Sequence, residues 1–323
     1  MAEASAKPAL RLGTRGSKLA LTQSQMVADL IKPVIKRDIE LVIIKTEGDE
    51  NQGSLMNPIR PGVFVSSIRD ALLAGEVDLI VHSFKDLPSA RILGLDLVAV
   101  PKREDARDVL ISRTGEELEQ LPAGAKVGTS SPRRAARINY LRPDLVTVPI
   151  RGNVDSRIQK VRDGEYDAVI LAAAGIKRLN RASEITEYLT DEQLLPAPAQ
   201  GALAIEIRNG DRDLAKAISK LDDFESRIIT TAERAVLVGI GASCRTAIGA
   251  HATLDKNKLH LVAELSDGDT NEHERHEMVI ELDDHDPVGE AFQIGLLVAE
   301  KLVATKVGQQ LQSKNLNGAG EDD

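Results

Sequence analysis

A lysine and an aspartate stand side by side in the segment HSFKDLP, where Lys85 and Asp86 follow the apolar run VDLIV. A carboxylate beside an ammonium group can stabilise a cation or transfer a proton during a reaction. The same pair could be an ordinary loop salt bridge, which contributes at most about 1 kcal/mol when exposed. Residue types alone favour the salt bridge, and only the position after a buried strand favours a catalytic role.

Arginines are concentrated in two neighbouring segments, VGTSSPRRAAR and IRGNVDSRI. A helix that begins after Gly-Thr-Ser-Ser offers free backbone amides to an anion, and Arg133 and Arg134 can add bidentate contacts to carboxylates. A well-capped surface helix explains the first segment equally well, because Ser-Pro caps are common. Arg151 and Arg157 at the next strand end favour a ligand with several carboxylates.

Cys244 is the only cysteine among 323 residues and lies in the stretch GIGASC. A lone cysteine in an intracellular protein is more often a small buried apolar side chain than a nucleophile. Two glycines and no large apolar neighbour describe an accessible loop, so we favour a functional thiol. One cysteine excludes an internal disulfide, and no signal peptide opens the sequence, so we expect a cytoplasmic protein.

Charge and composition argue against several classes of partner. The net charge is −9, whereas phosphate contacts need a basic surface, so we expect no nucleic-acid partner. No apolar run approaches the roughly 20 residues that cross a bilayer, so we expect no membrane contact. His273 and His276 lack the order of a zinc site and GTRGS lacks the spacing of a nucleotide loop, so we predict neither ligand.

Alternating strands and helices must position these residues. Aromatic residues make up only 2% of the chain, and cores of Val, Ile, Leu and Ala suit sheets covered on both faces. We predict, in order, a strand at 9–12, a helix at 18–31 stopped before Pro33, a strand at 39–44, a helix at 63–73 and the strand VDLIVHS. Lys85 and Asp86 then lie at the carboxyl end of a strand, where open α/β sheets collect ligands.

The same plan restarts after Pro101 and predicts a second lobe. It begins with a strand at 126–128, Ser130 or Ser131 as a helix N-cap, and Pro132 as the first helical residue. We interpret LPAPAQGALAIEIR as the chain returning to the first lobe. The predicted fold class is α/β, with two βα lobes joined by a hinge and a smaller α+β C-terminal domain.

The predicted boundaries assign residues 1–101 and 200–220 to the first lobe and residues 102–199 to the second. Residues 221–310 form the C-terminal domain that carries Cys244, with a helix at 224–238, three strands and a helix from 287 to about 304. The polar residues 311–323 are predicted to be a disordered tail.

Seven segments between about Leu10 and His251 resemble the porphobilinogen deaminase family, also called hydroxymethylbilane synthase. They are TRGSKLAL, DLIVHSFKDLP, VGTSSPRRAAR, IRGNVDSRI, GEYDAVILAAAGIKRL, LPAPAQGALAIEIR and ERAVLVGIGASC. Each segment alone is weak, but seven in order are highly specific. The resemblance implies lobes like those of periplasmic binding proteins and a transferase of tetrapyrrole and heme biosynthesis. Such an enzyme condenses four porphobilinogen molecules head to tail, releases ammonia and forms hydroxymethylbilane.

The resemblance also implies the site. Cys244 would carry a dipyrromethane cofactor through a thioether, and Asp86 would stabilise the azafulvenium-like cation and assist proton transfers. Lys85 would contact cofactor carboxylates, and Phe64 would border the reacting ring. The residues that would bind cofactor or substrate are Arg15, Ser17, Phe64, Lys85, Thr129, Ser130, Ser131, Arg133, Arg134, Arg151, Gly152, Arg157, Arg178 and Gln200.

The sequence departs from the family pattern at positions that leave Asp86, Cys244 and the paired arginines intact. The substituted positions are Arg60, Pro61, Ser66, Ser67, Ala199 and Ala247. A family lysine is missing near Phe64, and Ala199 stands where the family has a hinge glycine. We therefore expect an active enzyme with altered loop dynamics.

Two other functions compete with this interpretation. A two-lobed solute-binding protein would share the lobes and need an anion cleft, but it would need no thiol and would carry a signal peptide for export. A degenerate family member would bind pyrroles without turnover. Incubation with porphobilinogen and detection of uroporphyrin I would separate the three. We expect a monomer.

Overall fold

The structure, a computed structural model, describes residues 8–45, 63–90, 92–241, 246–268, 270 and 272–318. The chain divides into two units, each made of two separate stretches of sequence. The first unit comprises Met1–Arg103 and Ala202–Ser226, and the second comprises Glu104–Gly201 and Arg227–Asp323. The backbone therefore crosses between the units three times.

A five-stranded sheet forms the centre of the first unit. Its strands in chain order are β1 (Leu10–Thr14), β2 (Ile39–Ile43), β3 (Leu79–Ser83), β4 (Leu95–Ala99) and β10 (Leu203–Arg208). The spatial order is β2-β1-β3-β10-β4, with β1 parallel to β2 and β3, and β10 antiparallel to β3 and β4. β10, the strand of the segment LPAPAQGALAIEIR, lies beside β3 in this sheet.

Among the described residues of this unit, three helices pack on the sheet: α1 (Lys18–Ile35), α2 (Val63–Leu73) and α6 (Arg212–Ile218). The sequence predicted that α1 stops before Pro33, and this is wrong, because the helix continues to Ile35. Ile35 packs against the core, which offsets the hydrogen bond that proline cannot donate. The helix ends instead at Lys36, whose backbone adopts a left-handed φ of 51°.

The first sheet of the second unit has the same plan. Its strands are β5 (Asp108–Ser112), β6 (Lys126–Gly128), β7 (Val146–Val148), β8 (Ala168–Ala172) and β9 (Glu187–Tyr188). Their order is β7-β6-β8-β5-β9, with β6 parallel to β7 and β8, and β5 antiparallel to β8 and β9. Helices α3 (Pro132–Leu141), α4 (Val154–Arg162) and α5 (Ala173–Arg178) follow β6, β7 and β8. The carboxyl ends of three parallel strands therefore meet at one edge.

A three-stranded antiparallel sheet completes the second unit. It contains β11 (Ala247–Asp255), β12 (Lys258–Ser266) and β13 (His273–Glu281), accompanied by α7 (Phe224–Ile240), α8 (Pro287–Val303) and α9 (Lys306–Gly318). Leu259, Leu261 and Leu265 alternate along β12 and join Ile294 and Val298 of α8 in one core. The predicted fold class, two βα lobes with a small α+β part, is confirmed.

The C-terminal segment differs from its prediction. The sequence predicted a disordered tail over 311–323, whereas the structure continues as helix α9 to Gly318. Val307 is buried and Leu311 packs against the same core one turn later, which anchors the helix despite its polar composition. Residues 319–323 lie outside the described residues. Within the described part of the chain, no helix has both the length and the hydrophobicity of a membrane span.

Candidate functional site

Lys85 and Asp86 lie in a single 3-10 turn, Phe84–Asp86, at the carboxyl end of β3. Phe84 is buried, and its backbone N–H donates to the Ala202 carbonyl at 3.0 Å. The Leu87 N–H closes the turn by donating to the Phe84 carbonyl at 3.3 Å. Asp86 is exposed and Lys85 is half-buried. The turn therefore presents a carboxylate to solvent on a backbone that is anchored at both ends.

Arg15 and Ser17 follow β1, which neighbours β3 in parallel, so both loops leave the same edge of the sheet. The Ser17 hydroxyl accepts the Ala20 N–H at 3.3 Å and caps α1. Phe64 belongs to α2, but its side chain lies outside what the structure describes.

Gln23 is a site-edge residue that the sequence did not reveal. Its side chain is buried, and its Nε2 donates to the hydroxyl of Ser83 at 3.1 Å. Ser83 is the last residue of β3 and directly precedes the turn that carries Lys85 and Asp86. A polar residue on the apolar face of α1 was the available signal, because a buried amide requires a partner. The bond ties α1 to the end of β3.

A buried ion-pair cluster stands behind the turn. Glu206 of β10 accepts two hydrogen bonds from Arg69 of α2, at 2.8 and 2.6 Å, and its Oε2 lies 3.2 Å from His82 Nε2. All three side chains are buried. Burial would raise the pKa of Glu206, but hydrogen bonds and charges from His82 and Arg69 lower it to about 2.

This cluster should make the first unit sensitive to acid. The pKa of Glu206 is lower in the folded protein than its ordinary value of 4.5. The stabilisation that ionised Glu206 contributes is therefore complete above pH 4.5 and is lost as the pH falls towards 2. Wild-type protein should therefore lose on the order of 3 kcal/mol more unfolding free energy than Glu206→Gln over this range. Chemical denaturation of both proteins at about pH 5 and about pH 2 measures the difference. Equal losses would contradict the assignment.

The arginine pair of the second unit is buried and shares one carboxylate. Ser131 caps α3, Pro132 is its first residue, and Arg133 and Arg134 lie in its first turn. Arg133 Nη2 lies 2.7 Å from Asp108 Oδ2, and Arg134 Nη2 and Nε donate to Asp108 Oδ1 at 2.6 and 3.1 Å. Burial would raise the pKa of Asp108, but the charges of the two arginines lower it to about 2.

The hydroxyl groups before α3 have partners within the protein. Thr129 Oγ1 accepts the Ser131 N–H at 3.2 Å, and Ser131 Oγ accepts the Arg134 N–H at 3.5 Å. The Ser130 hydroxyl donates to the Ile150 carbonyl at 2.8 Å and accepts the Ile150 N–H at 3.0 Å. These contacts join the loops after β6 and β7, so the hydroxyls shape the site whether or not they also bind a ligand.

The loop after β7 carries Arg151, Gly152 and Arg157. Gly152 has a φ of +115°, and a Cβ atom there would lie 2.2 Å from the Ser156 hydroxyl, so the position requires glycine. Arg157 Nε donates to the Gly152 carbonyl at 2.8 Å. Burial and the positive charge of Arg134 lower the pKa of Arg157. Arg157 is therefore a third cation, within electrostatic range of the Arg133–Arg134 pair. Arg151 is half-buried in the same loop.

Arg178 ends α5, directly after β8. Its Nη2 donates to the Gly201 carbonyl at 2.6 Å, while its Nε is buried with no hydrogen-bond acceptor among the described residues. Burial lowers the pKa of Arg178 to about 10, although the negative charge of Glu104 acts to raise it. A guanidinium with an unused buried N–H fits an anionic ligand.

Gln200 is fully buried beside the arginine pair. Its Nε2 donates to the Ala106 carbonyl at 2.7 Å and to Asp108 Oδ1 at 2.9 Å. Gln200 therefore contacts the carboxylate that holds the arginines. Asp108 itself was missed by the sequence analysis, although a carboxylate at the start of the apolar run DVLIS had to find a partner if buried.

The described departures from the family pattern range from buried to exposed positions. Ala199 has a φ of +62°, a conformation that glycine adopts more easily, and its N–H donates to Glu233 Oε2 at 2.6 Å. Ala247 is buried at the start of β11, Ser66 is exposed and Ser67 is half-buried. Arg60, Pro61 and the predicted attachment residue Cys244 lie outside the described residues.

Comparison with protein families gives two matches. The family model described as porphobilinogen deaminase, dipyromethane cofactor binding domain, matches residues 10–216, and the porphobilinogen deaminase C-terminal domain matches residues 228–304. Porphobilinogen deaminase 1 of Streptomyces coelicolor is 45% identical over 312 residues, covering 93% of this chain and 95% of that protein. Porphobilinogen deaminase of Acidothermus cellulolyticus is 41% identical over 327 residues, covering 100% and 97%.

Similar solved structures are more distant. A Salmonella typhimurium periplasmic binding protein with high arginine specificity covers 67% of this chain and 92% of that chain, at 14% identity and a TM-score of 0.39. The VFT2 domain of Bordetella pertussis BvgS covers 66% and 86%, at 16% identity and a TM-score of 0.41.

Proposed function

Because the chain belongs to the porphobilinogen deaminase family, we propose that it condenses four porphobilinogen molecules head to tail into hydroxymethylbilane and releases ammonia at each addition. The observation that carries the proposal is the set of buried and half-buried arginines at one sheet edge of the second unit. Each pyrrole bears an acetate and a propionate, so a growing chain needs many cationic partners. The protein is accordingly a transferase of tetrapyrrole and heme biosynthesis.

The described residues fit the dipyrromethane cofactor of the family. Each guanidinium has five N–H donors, more than the protein contacts of Arg133 and Arg134 use. The buried Nε of Arg178 adds a donor without an acceptor among the described residues. When bound, the dipyrromethane supplies the pyrrole position to which the first substrate unit is joined. Arg133, Arg134 and Arg178 would hold its carboxylates.

Cys244 is the proposed attachment residue. A thioether needs a sulfur nucleophile, and Cys244 is the only thiol in the sequence. Its thiol must stay reduced to react, so we place the enzyme in the cytoplasm.

Asp86 is the proposed catalytic residue. Positive charge develops on the substrate pyrrole as ammonia leaves, and a fixed carboxylate stabilises that charge as it forms. The anchored turn holds Asp86 in place, and its exposure leaves it accessible to substrate. Asp86 can also accept and return a proton during each addition, while Lys85 beside it attracts ligand carboxylates.

The arginines should act in graded fashion because each meets a different carboxylate. We expect Arg133→Leu and Arg134→Leu to reduce the fraction of protein that carries cofactor. Arg151→Leu and Arg157→Leu should instead slow elongation by about 10- to 100-fold and trap partly extended chains, because a charge-assisted hydrogen bond is worth roughly 1.5–3 kcal/mol. Intact mass and single-turnover assays with porphobilinogen measure the two effects.

Arg162→Leu is the matched control for these variants. Arg162 lies in α4 with Arg157, but its side chain is 57% exposed and pairs with Glu184 at 2.8 Å. Surface pairs of this kind contribute little, so this variant should behave as wild type. Wild-type rates in all four site variants would contradict the anion-site assignment.

The proposed activity is tested by incubating purified protein with porphobilinogen. Turnover releases ammonia, and the product cyclises without a further enzyme to uroporphyrinogen I, which an added oxidant such as iodine converts to the detectable uroporphyrin I. Binding of porphobilinogen without either product would identify a degenerate family member. Reversible binding with no mass excess on the protein would favour a solute-binding protein, and neither binding nor turnover would reject the proposal.

A further inference from the structure

Asp108 is completely buried and is the first residue of β5. Both of its carboxylate oxygens are engaged by the arginine pair, Oδ2 by Arg133 and Oδ1 by Arg134. A buried carboxylate between two guanidinium groups cannot reach a ligand in solvent. Its effect on the site must therefore act through the arginines.

The surrounding contacts hold each partner in one orientation. Arg134 Nη1 donates to the Ile170 carbonyl at 2.9 Å, and Arg133 Nη1 donates to the Leu195 carbonyl. Gln200 Nε2 donates to Asp108 Oδ1 from a third stretch of chain. Each guanidinium thus pairs with the Asp108 carboxylate and donates to a backbone carbonyl, which restricts rotation about its last bonds.

Charge gives the same residue a second effect. Arg133 and Arg134 are adjacent in sequence and buried, and the positive charge of Arg134 repels the positive charge of Arg133. One carboxylate between them offsets this repulsion, because an unpaired buried charge is costly. The pair keeps one net positive charge, to which Arg157 adds a second.

We propose that Asp108 is a positioning residue of the anion site: it fixes the guanidinium groups of Arg133 and Arg134 for the ligand's carboxylates without touching the ligand. This rests on the proposed function, in which the ligand is a carboxylate-bearing pyrrole chain. Preorganised donors bind more tightly because they lose less freedom on binding.

Asp108→Asn tests the proposal, with Asp78→Asn as its matched control. Asp78 is also shared by two arginines, Arg11 at 2.8 Å and Arg208 at 3.4 Å, but it precedes the amino end of β3. Asp108→Asn should lower cofactor loading at least about fivefold. In the loaded fraction it should raise the KM for porphobilinogen about tenfold, with a smaller change in kcat. Asp78→Asn should lower the thermal midpoint without either effect.

A second readout does not depend on activity. In nitrogen-15 NMR spectra the Arg134 Nε–H, identified by its loss in Arg134→Lys, should exchange slowly with water in wild type and rapidly in Asp108→Asn. If wild type forms no product, the proposed function fails while this readout still decides the positioning role. If Asp108→Asn does not fold, Asp108→Glu keeps the charge, displaces the carboxylate and should show the same changes.

The alternative is that Asp108 only stabilises the fold. In that case Asp108→Asn would lower the thermal midpoint but keep slow Arg134 exchange, wild-type loading and wild-type KM. That result would overturn the proposal. Equal losses of loading in Asp78→Asn would overturn it as well.

Discussion

Asp86→Asn should keep its fold and lose about 10²–10⁴-fold in the rate of product formation, the usual scale for a positioned acid–base group. The turn that carries Asp86 is anchored by backbone bonds of Phe84 and Leu87, which the substitution leaves unchanged. A neutral amide can neither stabilise the developing pyrrole cation nor take up a proton. Steady-state formation of uroporphyrin I, measured together with the thermal midpoint, gives the result.

Two further variants make this test specific. Asp86→Glu should retain part of the activity, because the charge remains while its position shifts. Asp213→Asn removes an exposed carboxylate of the same unit and should change neither rate nor stability beyond an ordinary surface substitution. If Lys85 and Asp86 form only a loop salt bridge, both Asp86 variants would cost at most about 1 kcal/mol and keep near-normal turnover.

Cys244→Ser should abolish both cofactor attachment and product formation. A serine hydroxyl is a far weaker nucleophile than a thiolate, and the chain has no second thiol to replace Cys244. By intact mass, wild type should exceed its sequence mass by two linked pyrrole units, and Cys244→Ser should not. The variant should keep the wild-type thermal midpoint when both proteins are compared without cofactor. An active protein with an unmodified thiol would refute the attachment.

Local signals predicted several elements to the residue. The strand Lys126–Gly128, the helix Val63–Leu73 and the first residue of α3, Pro132, were all predicted correctly. Caps and prolines act within one helical turn, so their effect is visible in a short stretch of sequence. Predictions for α1 and α9 failed where packing against a distant core outweighed these signals.

The sequence by itself determined which residue types stand at the strand ends, which family the chain resembles and where its one thiol lies. Only the tertiary structure decided the partners of those residues. It joined Asp108 to Arg134, 26 positions away, and to Gln200, 92 positions away, and it placed Arg69 against Glu206, 137 positions away. Such pairs leave no periodicity or capping signal, because their energy depends on burial and on charges that meet only when the sheets have formed.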